Sequence, residues 1–542
     1  MNKAVMKLTN HNQLSLLKFL ALIFLSCEFT GAIPAVEENQ FQTFSSYKNV
    51  GYDQAYRPQF HFTSLKNWIN DPNGMLYYDG EYHLFFQHNP LGQGWGNMTW
   101  GHAVSPDMVH WKQLPHAILP FGHGYPFSGS GVVDFNNFLG KQVGDTKTLV
   151  MMYSYALDIR PRFGVLPPPK ETSYYQAIAY STDKGRTVKL LNDGAPVIPN
   201  QGKEVDPLGT ERDPKIFWHE PSKKWVVVLW LGETSKGHIR IFNSDDLQHW
   251  TVASDLVRPW AHECINLVEL PVVDESGNTL GQKKWLLHDG GFHYEVGSFD
   301  GKEFKGEQPM KIHKLGDWNA AQTFNNSPDG RTVIIGWLVK AEFFKKKMPF
   351  SEQLTFPATM ELRKIGNEYS LYRWPIKEIE SLYGKSLILP KNIGVSEAST
   401  KLSAMNVECV DLSMEFEPKG NQNLILNLRG STLTYSPEKK SLFFISSENA
   451  AKKIAAANKA PEEIKKLRID EYLIPDALKN GVVKLRILVD RGSIEIFVNE
   501  GRTVLTHSVI SDLANKSFSI TGGDAAIKSL EVHELKSSWD AK

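Results

Sequence analysis

With 542 residues the chain exceeds what one hydrophobic core ordinarily supports, so two domains are the expectation. Lys plus Arg and Asp plus Glu balance at 60 each, which excludes the basic surface that nucleic acids and anionic membranes select. Three cysteines, Cys27, Cys264 and Cys409, exclude a disulfide framework, while 14 Trp and 29 Phe suit either a β-rich core or a surface that packs on sugar rings.

The first predicted element is a leader. Lys3 and Lys7 precede the apolar run FLALIFLS at 19–26, which has the length of a signal-peptide core and is too short to cross a bilayer. Leu25-Ser26-Cys27-Glu28 resembles a lipobox, in which Cys27 would carry a lipid anchor, and Thr30-Gly31-Ala32 offers ordinary cleavage instead. Both outcomes predict export, to a secreted, periplasmic or lipid-anchored cell-surface form, with residues 1–40 as signal peptide and linker. The choice between them stays open.

Beyond residue 40, short β-like runs alternate with Gly, Asp, Asn and Pro. The octet NWINDPNG at 67–74 reads as a turn, because each of those residue types favours one. A weak repeat follows: a strand-like run, then Ser-x-Asp, then a tight turn. Its serines are Ser105, Ser181, Ser244 and Ser298, and in all but the second an aromatic residue stands four positions after the Asp. Spacings of this size fit propeller blades with inserted loops. The segment RWPIKEIESLYG at 373–384 reads as a short helix, since Ile376, Ile379 and Leu382 fall at helical spacing. Alternating strands then predict a β-sandwich, clearest in VVKLRILVDRGSIEIFVNEGRTVL at 482–505, with a helical surface insertion at 448–467. The fold class expected is all-β: a propeller over 50–365, a linker with a helix over 366–385, and a sandwich over 386–540.

Three carboxylates lie in loop-like contexts framed by aromatic, Pro or Cys residues: Asp71 in WINDPNG, Asp213 in TERDPKIFW and Glu263 in RPWAHECINL. Each alone would pass for an exposed or capping acid. Propeller loops converge on one end of the central channel, however, so the three have a route to one pocket. Cleaving a glycosidic bond needs one ionised and one protonated carboxyl group. Arg212 beside Asp213 is expected to keep that Asp ionised, and Glu263, ahead of an apolar strand, is expected to be the proton donor.

The motifs NDPNG, RDP and EC, in this order, resemble glycoside hydrolase family 32, the family of invertases, inulinases and levanases. EYHLFFQHNP, WGNMTWGHAVSPDMVHW, FSGSGVVD, DWNAAQTF, IIGWL and ILVDRGSIEIFVNEG resemble family blocks as well, from about residue 58 to the end. The resemblance implies a five-bladed propeller followed by a β-sandwich, and retaining cleavage of β-D-fructofuranosidic bonds without metal or cofactor. It implies Asp71 as nucleophile, Glu263 as general acid/base and Asp213 as transition-state stabiliser. Asn70, Gln87, Trp95, Phe127, Ser128, Arg212, Asp317 and Trp337 would bind the sugar. The chain departs from the family pattern at Ile69, Ile265, Asn266 and Asn319. WGNMTWGHAVS leans towards levanase or exo-inulinase, so the substrate expected is a fructose-containing oligo- or polysaccharide, with exo-release of fructose from fructan and sucrose. Alternatives are a sucrose-specialised invertase, a fructosyltransferase, and a non-catalytic fructan-binding protein, the last opposed by the presence of all three acids. Oligomeric state is not legible.

Overall fold

The computed structural model describes residues 41–539 apart from 48, 123, 158–172, 314, 450–469 and 474–480. The leader with Cys27, and all of the expected 448–467 insertion beyond its first two residues, lie outside the described residues.

Five four-stranded antiparallel blades follow one another, each running from its innermost strand outwards. The innermost strands are Asn67–Tyr78, Gly124–Asp134, Arg212–His219, Asn266–Val273 and Trp318–Thr323. The third blade shows why such sequences become blades. Its second strand, Lys224–Trp230, is apolar on both faces. Trp225, Val227 and Leu229 pack into a core shared with the second blade, while Val226, Val228 and Trp230 pack towards the fourth. A strand covered on both sides has no polar face, so its hydrophobic run is continuous where a half-exposed strand would alternate. Near the channel the innermost strands of blades one and two come close: a Cβ on Gly131 would sit 2.7 Å from the Gly74 carbonyl oxygen.

The Ser-x-Asp repeat has a structural cause. Ser105, Ser181 and Ser244 end the third strands of blades one to three, and Ser298 lies one residue before that end in blade four. The residue after each Asp (Met108, Lys184, Leu247 or Gly301) has positive φ. The Asp carboxylate receives the turn's backbone N–H groups, as Asp107 does from Val109 at 2.9 Å and His110 at 2.8 Å.

A parallel pairing of Val272 and Val273 with Leu362 and Arg363 fuses blades four and five into one ten-stranded sheet. Phe350–Ser351 pairs in parallel with Asn67 and Trp68, tying the last blade back to the first. The fifth blade is completed by Glu368–Pro375, which pairs with Ala358–Ile365 inside the stretch expected to be a linker. The expected helix is a 3-10 turn, Lys377–Leu382, and its apolar residues are buried at the junction of the two domains. The sandwich consists of an eight-stranded and a five-stranded sheet around one core. One α-helix that the sequence reading missed, Val395–Ser403, covers its side through Ala398 and Leu402.

Candidate active site

NWINDPNG is not a turn but the start of the innermost strand Asn67–Tyr78, and Asp213 likewise belongs to the strand Arg212–His219. Both acids sit at breaks in register, between Ile69 and Pro72 and opposite the step from Val228 to Trp230. Such bulges re-aim a side chain without ending the strand. Asp213 has φ 64°, and Cys264, after Glu263, has φ 57°. Glu263 itself stands in the loop just before Asn266–Val273. The turn-forming composition of the octet thus encodes a bulged strand, which local propensity does not distinguish from a turn.

These two breaks, with the loop that carries Glu263, bring the three acids to one cavity. Asp71 Oδ2 accepts the Ser128 hydroxyl at 2.7 Å, and its Oδ1 accepts the Asn70 amide at 3.0 Å. Asn70 is held in turn by the Trp68 indole N–H at 3.1 Å. Asp213 Oδ2 accepts the Cys264 backbone N–H at 3.2 Å, and Ser154 Oγ receives the Asp213 N–H at 2.8 Å. The buried Cys264 thiol lies 3.5 Å from Asp213 Oδ2 and 3.8 Å from Asp71 Oδ2, so it links the two carboxyl groups. Burial among acids pushes that thiol well above its ordinary pKa and keeps it a hydrogen-bond donor.

Electrostatics depart from expectation at Arg212. Its guanidinium lies 2.9 Å from Glu263 and 2.5 Å from Glu233, but 3.7 Å from Asp213. Arg212 nonetheless remains the chief influence favouring the ionised form of Asp213. Burial raises its pKa to about 8, and the partial relief from Arg212 is opposed by the charges of Glu263 and Asp71. Asp71 rises to about 6, chiefly through burial and then through Glu263, against the hydrogen bonds from Ser128 and Asn70. Glu263 does not occupy an apolar niche: it pairs with Arg212, and 28% of its side chain is exposed against 3% for Asp213. The departures at Ile265 and Asn266 act away from the carboxylates. Ile265 is core, and Asn266 braces the carbonyls of Cys264 and Ala321.

These acids open into a cavity of about 250 Å³. Of the residues expected to bind the sugar, Asn70, Gln87, Trp95, Phe127, Ser128, Arg212 and Trp337 line it. Asp317 does not. It pairs with Lys340 at 2.9 Å and lies 3.8 Å from His507 of the sandwich, so it belongs to the domain junction. The sequence reading missed Met98, Tyr174, Leu208, Thr210 and Glu233. Met98 stands in WGNMTWGHAVS and Thr210 in TERDPKIFW, where neither residue type marks a sugar contact, and Glu233 stands in the loop after Lys224–Trp230.

Comparison with known proteins agrees with this architecture. Residues 61–375 match the model described as Glycosyl hydrolases family 32 N-terminal domain, and 378–534 match Glycosyl hydrolases family 32 C terminal. The chain is 36% identical over 521 residues to a levanase of Bacillus subtilis (strain 168), covering 90% of this chain and 72% of that protein. It is 33% identical over 526 residues to an extracellular exo-inulinase of Aspergillus awamori, covering 90% and 96%. The crystal structure of exo-inulinase from Aspergillus awamori superposes with a TM-score of 0.74 at 28% identity, over 90% of this chain and all of that one.

Proposed function

The chain belongs to glycosyl hydrolase family 32 and is a glycoside hydrolase; from that premise we propose that it is an exported, retaining β-fructosidase that removes terminal fructose from fructans and from sucrose. One observation carries this reading: three acids from three blades share a single small cavity. Its volume of about 250 Å³ falls below the ~300–1,000 Å³ typical of small-molecule sites, which suits one terminal sugar better than an internal stretch of polymer. The levanase and exo-inulinase named above are the relatives that favour a fructan, and the apolar run at 19–26 together with the extracellular relative supports export.

In this reading the Asp71 carboxylate attacks the anomeric carbon of the fructosyl unit. The bond to the leaving oxygen breaks as Glu263 gives that oxygen its proton. Water then attacks the same carbon, its proton passes to Glu263, and the fructosyl–Asp71 ester bond breaks to restore the carboxylate. Two inversions give net retention. Glu263 lines the cavity and is partly exposed, so the leaving oxygen and then the incoming water can reach it, and that water restores the proton it gave. Asp213, buried beside Cys264, is suited to hold sugar hydroxyls and makes no covalent bond. Asn70 and Ser128 fix the Asp71 carboxylate, and Trp95, Phe127 and Trp337 wall the pocket.

The test is a product profile on sucrose, inulin and levan, with Asp71→Asn and Glu263→Gln alongside. Fructose alone from the polymers is expected; a ladder of oligosaccharides would mean endo attack, and products larger than the sucrose supplied would mean transfer. Each variant should lose at least about 10³-fold in kcat, since each removes a covalent or proton-transfer role. Full activity in either variant would overturn its assigned role. Mass spectrometry of the mature N-terminus distinguishes an acylated Cys27 from a terminus after Ala32.

A further inference from the structure

Arg212 is one guanidinium among three carboxylates, and the geometry shows how it is divided. Its Nη2 meets Glu233 Oε1 at 2.5 Å and Glu263 Oε2 at 2.9 Å. Its Nε is 3.3 Å from Glu263 and 3.7 Å from Asp213. The Thr210 carbonyl accepts Nη1 at 3.0 Å, and the Trp230 ring lies 4.6 Å beneath the guanidinium. Glu233 is not a loose surface acid that found a partner. Its backbone N–H donates to Thr210 Oγ1 at 3.1 Å, and Asp206 anchors the same loop through Thr210 and Thr234. Gly232, at φ 105°, permits the close passage: a Cβ there would fall 1.9 Å from Asp206 Oδ2. His262 stands on the other side, its ring 3.4 Å from Glu233 and 3.8 Å from Glu263.

We propose that Glu233 is a positioning residue: it holds Arg212 at the pocket rim, where the cation faces Glu263, and withholds it from Asp213. This rests on the reading above of Glu263 as proton donor and Asp213 as hydroxyl holder. The charged and titratable groups that share the space are Arg212, Asp213, Glu263, Asp71, Cys264, His262 and Asp206. Removing one negative charge from the cluster lowers the like-charge repulsion on Asp71, and the released guanidinium is free to turn towards the buried carboxyl groups. The acid limb of the pH profile, set by ionisation of Asp71, therefore moves to lower pH.

The experiment compares native protein with Glu233→Gln and Glu233→Asp, with thermal unfolding confirming that each variant is folded. Glu233→Gln should shift the acid limb of kcat/KM to lower pH by about half a unit or more and lower kcat roughly tenfold at pH 7, with KM changed less than about threefold. Glu233→Asp keeps the charge and should restore the limb. An acid limb that coincides with the native profile, or a rise in KM alone, overturns the proposal; the latter would make Glu233 a sugar contact. Titration of the site carboxyls by carbon-13 NMR reads the same cluster without catalysis: midpoints lowered by Glu233→Gln support the positioning role and unmoved midpoints overturn it. A native protein that cleaves no fructoside would refute the hydrolase reading alone, and this titration would still decide the role of Glu233.

Discussion

Ser128 tests the electrostatics of the site at a single hydroxyl. It donates to Asp71 Oδ2 at 2.7 Å and opposes the burial that lifts the Asp71 pKa to about 6. A hydrogen bond to a charged group contributes on the order of 1.5–3 kcal/mol, which corresponds to roughly ten- to hundredfold in rate if the charge reacts. Ser128→Ala should therefore lower kcat/KM by about that factor. The sign of its pH effect is fixed: without the donor the Asp71 pKa rises, and the acid limb, below which the nucleophile is protonated, moves to higher pH. An unmoved acid limb would show that some group other than Asp71 titrates there. Asp71, Asp213 and Glu263 were legible because their neighbours in sequence are distinctive. The pairing of Arg212 was not, since adjacency in sequence pointed to Asp213 while the strand geometry turns the guanidinium to Glu263 and Glu233.

The turn after each third strand is the element whose sequence and structure agree best. In the third blade Asp246 accepts the backbone N–H of Gln248 at 2.9 Å and His249 at 2.8 Å, with the Ser244 hydroxyl at 3.2 Å and the His249 ring at 2.6 Å. Leu247 holds φ 68° between them. Burial alone would raise the Asp246 pKa, but these donors prevail and hold it at about 2. Asp246→Ala should cost about 1–2 kcal/mol, as loss of a capping side chain does, with kcat/KM unchanged because the turn lies outside the pocket. A depressed pKa stabilises the fold above the unfolded value and loses that contribution as pH falls towards 2. The difference in urea midpoint between native and variant should thus persist at pH 7 and shrink below pH 4; equal midpoints at pH 7 would refute the capping role. This pattern was legible because the constraint is local: one acid serves donors two and three residues away. The octet at 67–74 misled for the complementary reason. Its bulge is imposed by pairing with Glu81–Asn89, and that long-range condition leaves no local mark.

At the scale of the whole molecule, the propeller and sandwich are joined by a buried ion cluster that no sequence pattern announced. His61, at the entry to the propeller, reaches Asp490 at 2.8 Å and Glu495 at 2.9 Å in the sandwich, and all three are almost fully buried. Asp490 also accepts the backbone N–H groups of Gln59, Phe60 and His61, and Glu495 that of Phe356. Asp490-Arg491-Gly492 joins the strands Val483–Val489 and Ser493–Val498 as a hairpin turn; its second role lies with a residue 429 positions away. Burial opposes charge on His61, yet the two carboxylates outweigh it and raise its pKa to about 9. His61→Leu would leave both acids buried without a cation, a loss of about 3–5 kcal/mol. Because the folded pKa exceeds the unfolded value, the stabilisation is complete below about pH 6.5 and is lost as pH rises through 9. Urea unfolding should therefore separate native protein from His61→Leu most widely at pH 6 and progressively less towards pH 10. A gap that stayed constant across this range would mean that the histidine stabilises the junction by shape rather than by charge. The pocket lies elsewhere, lined by none of these residues, so at temperatures where His61→Leu remains folded its KM should match that of the native enzyme.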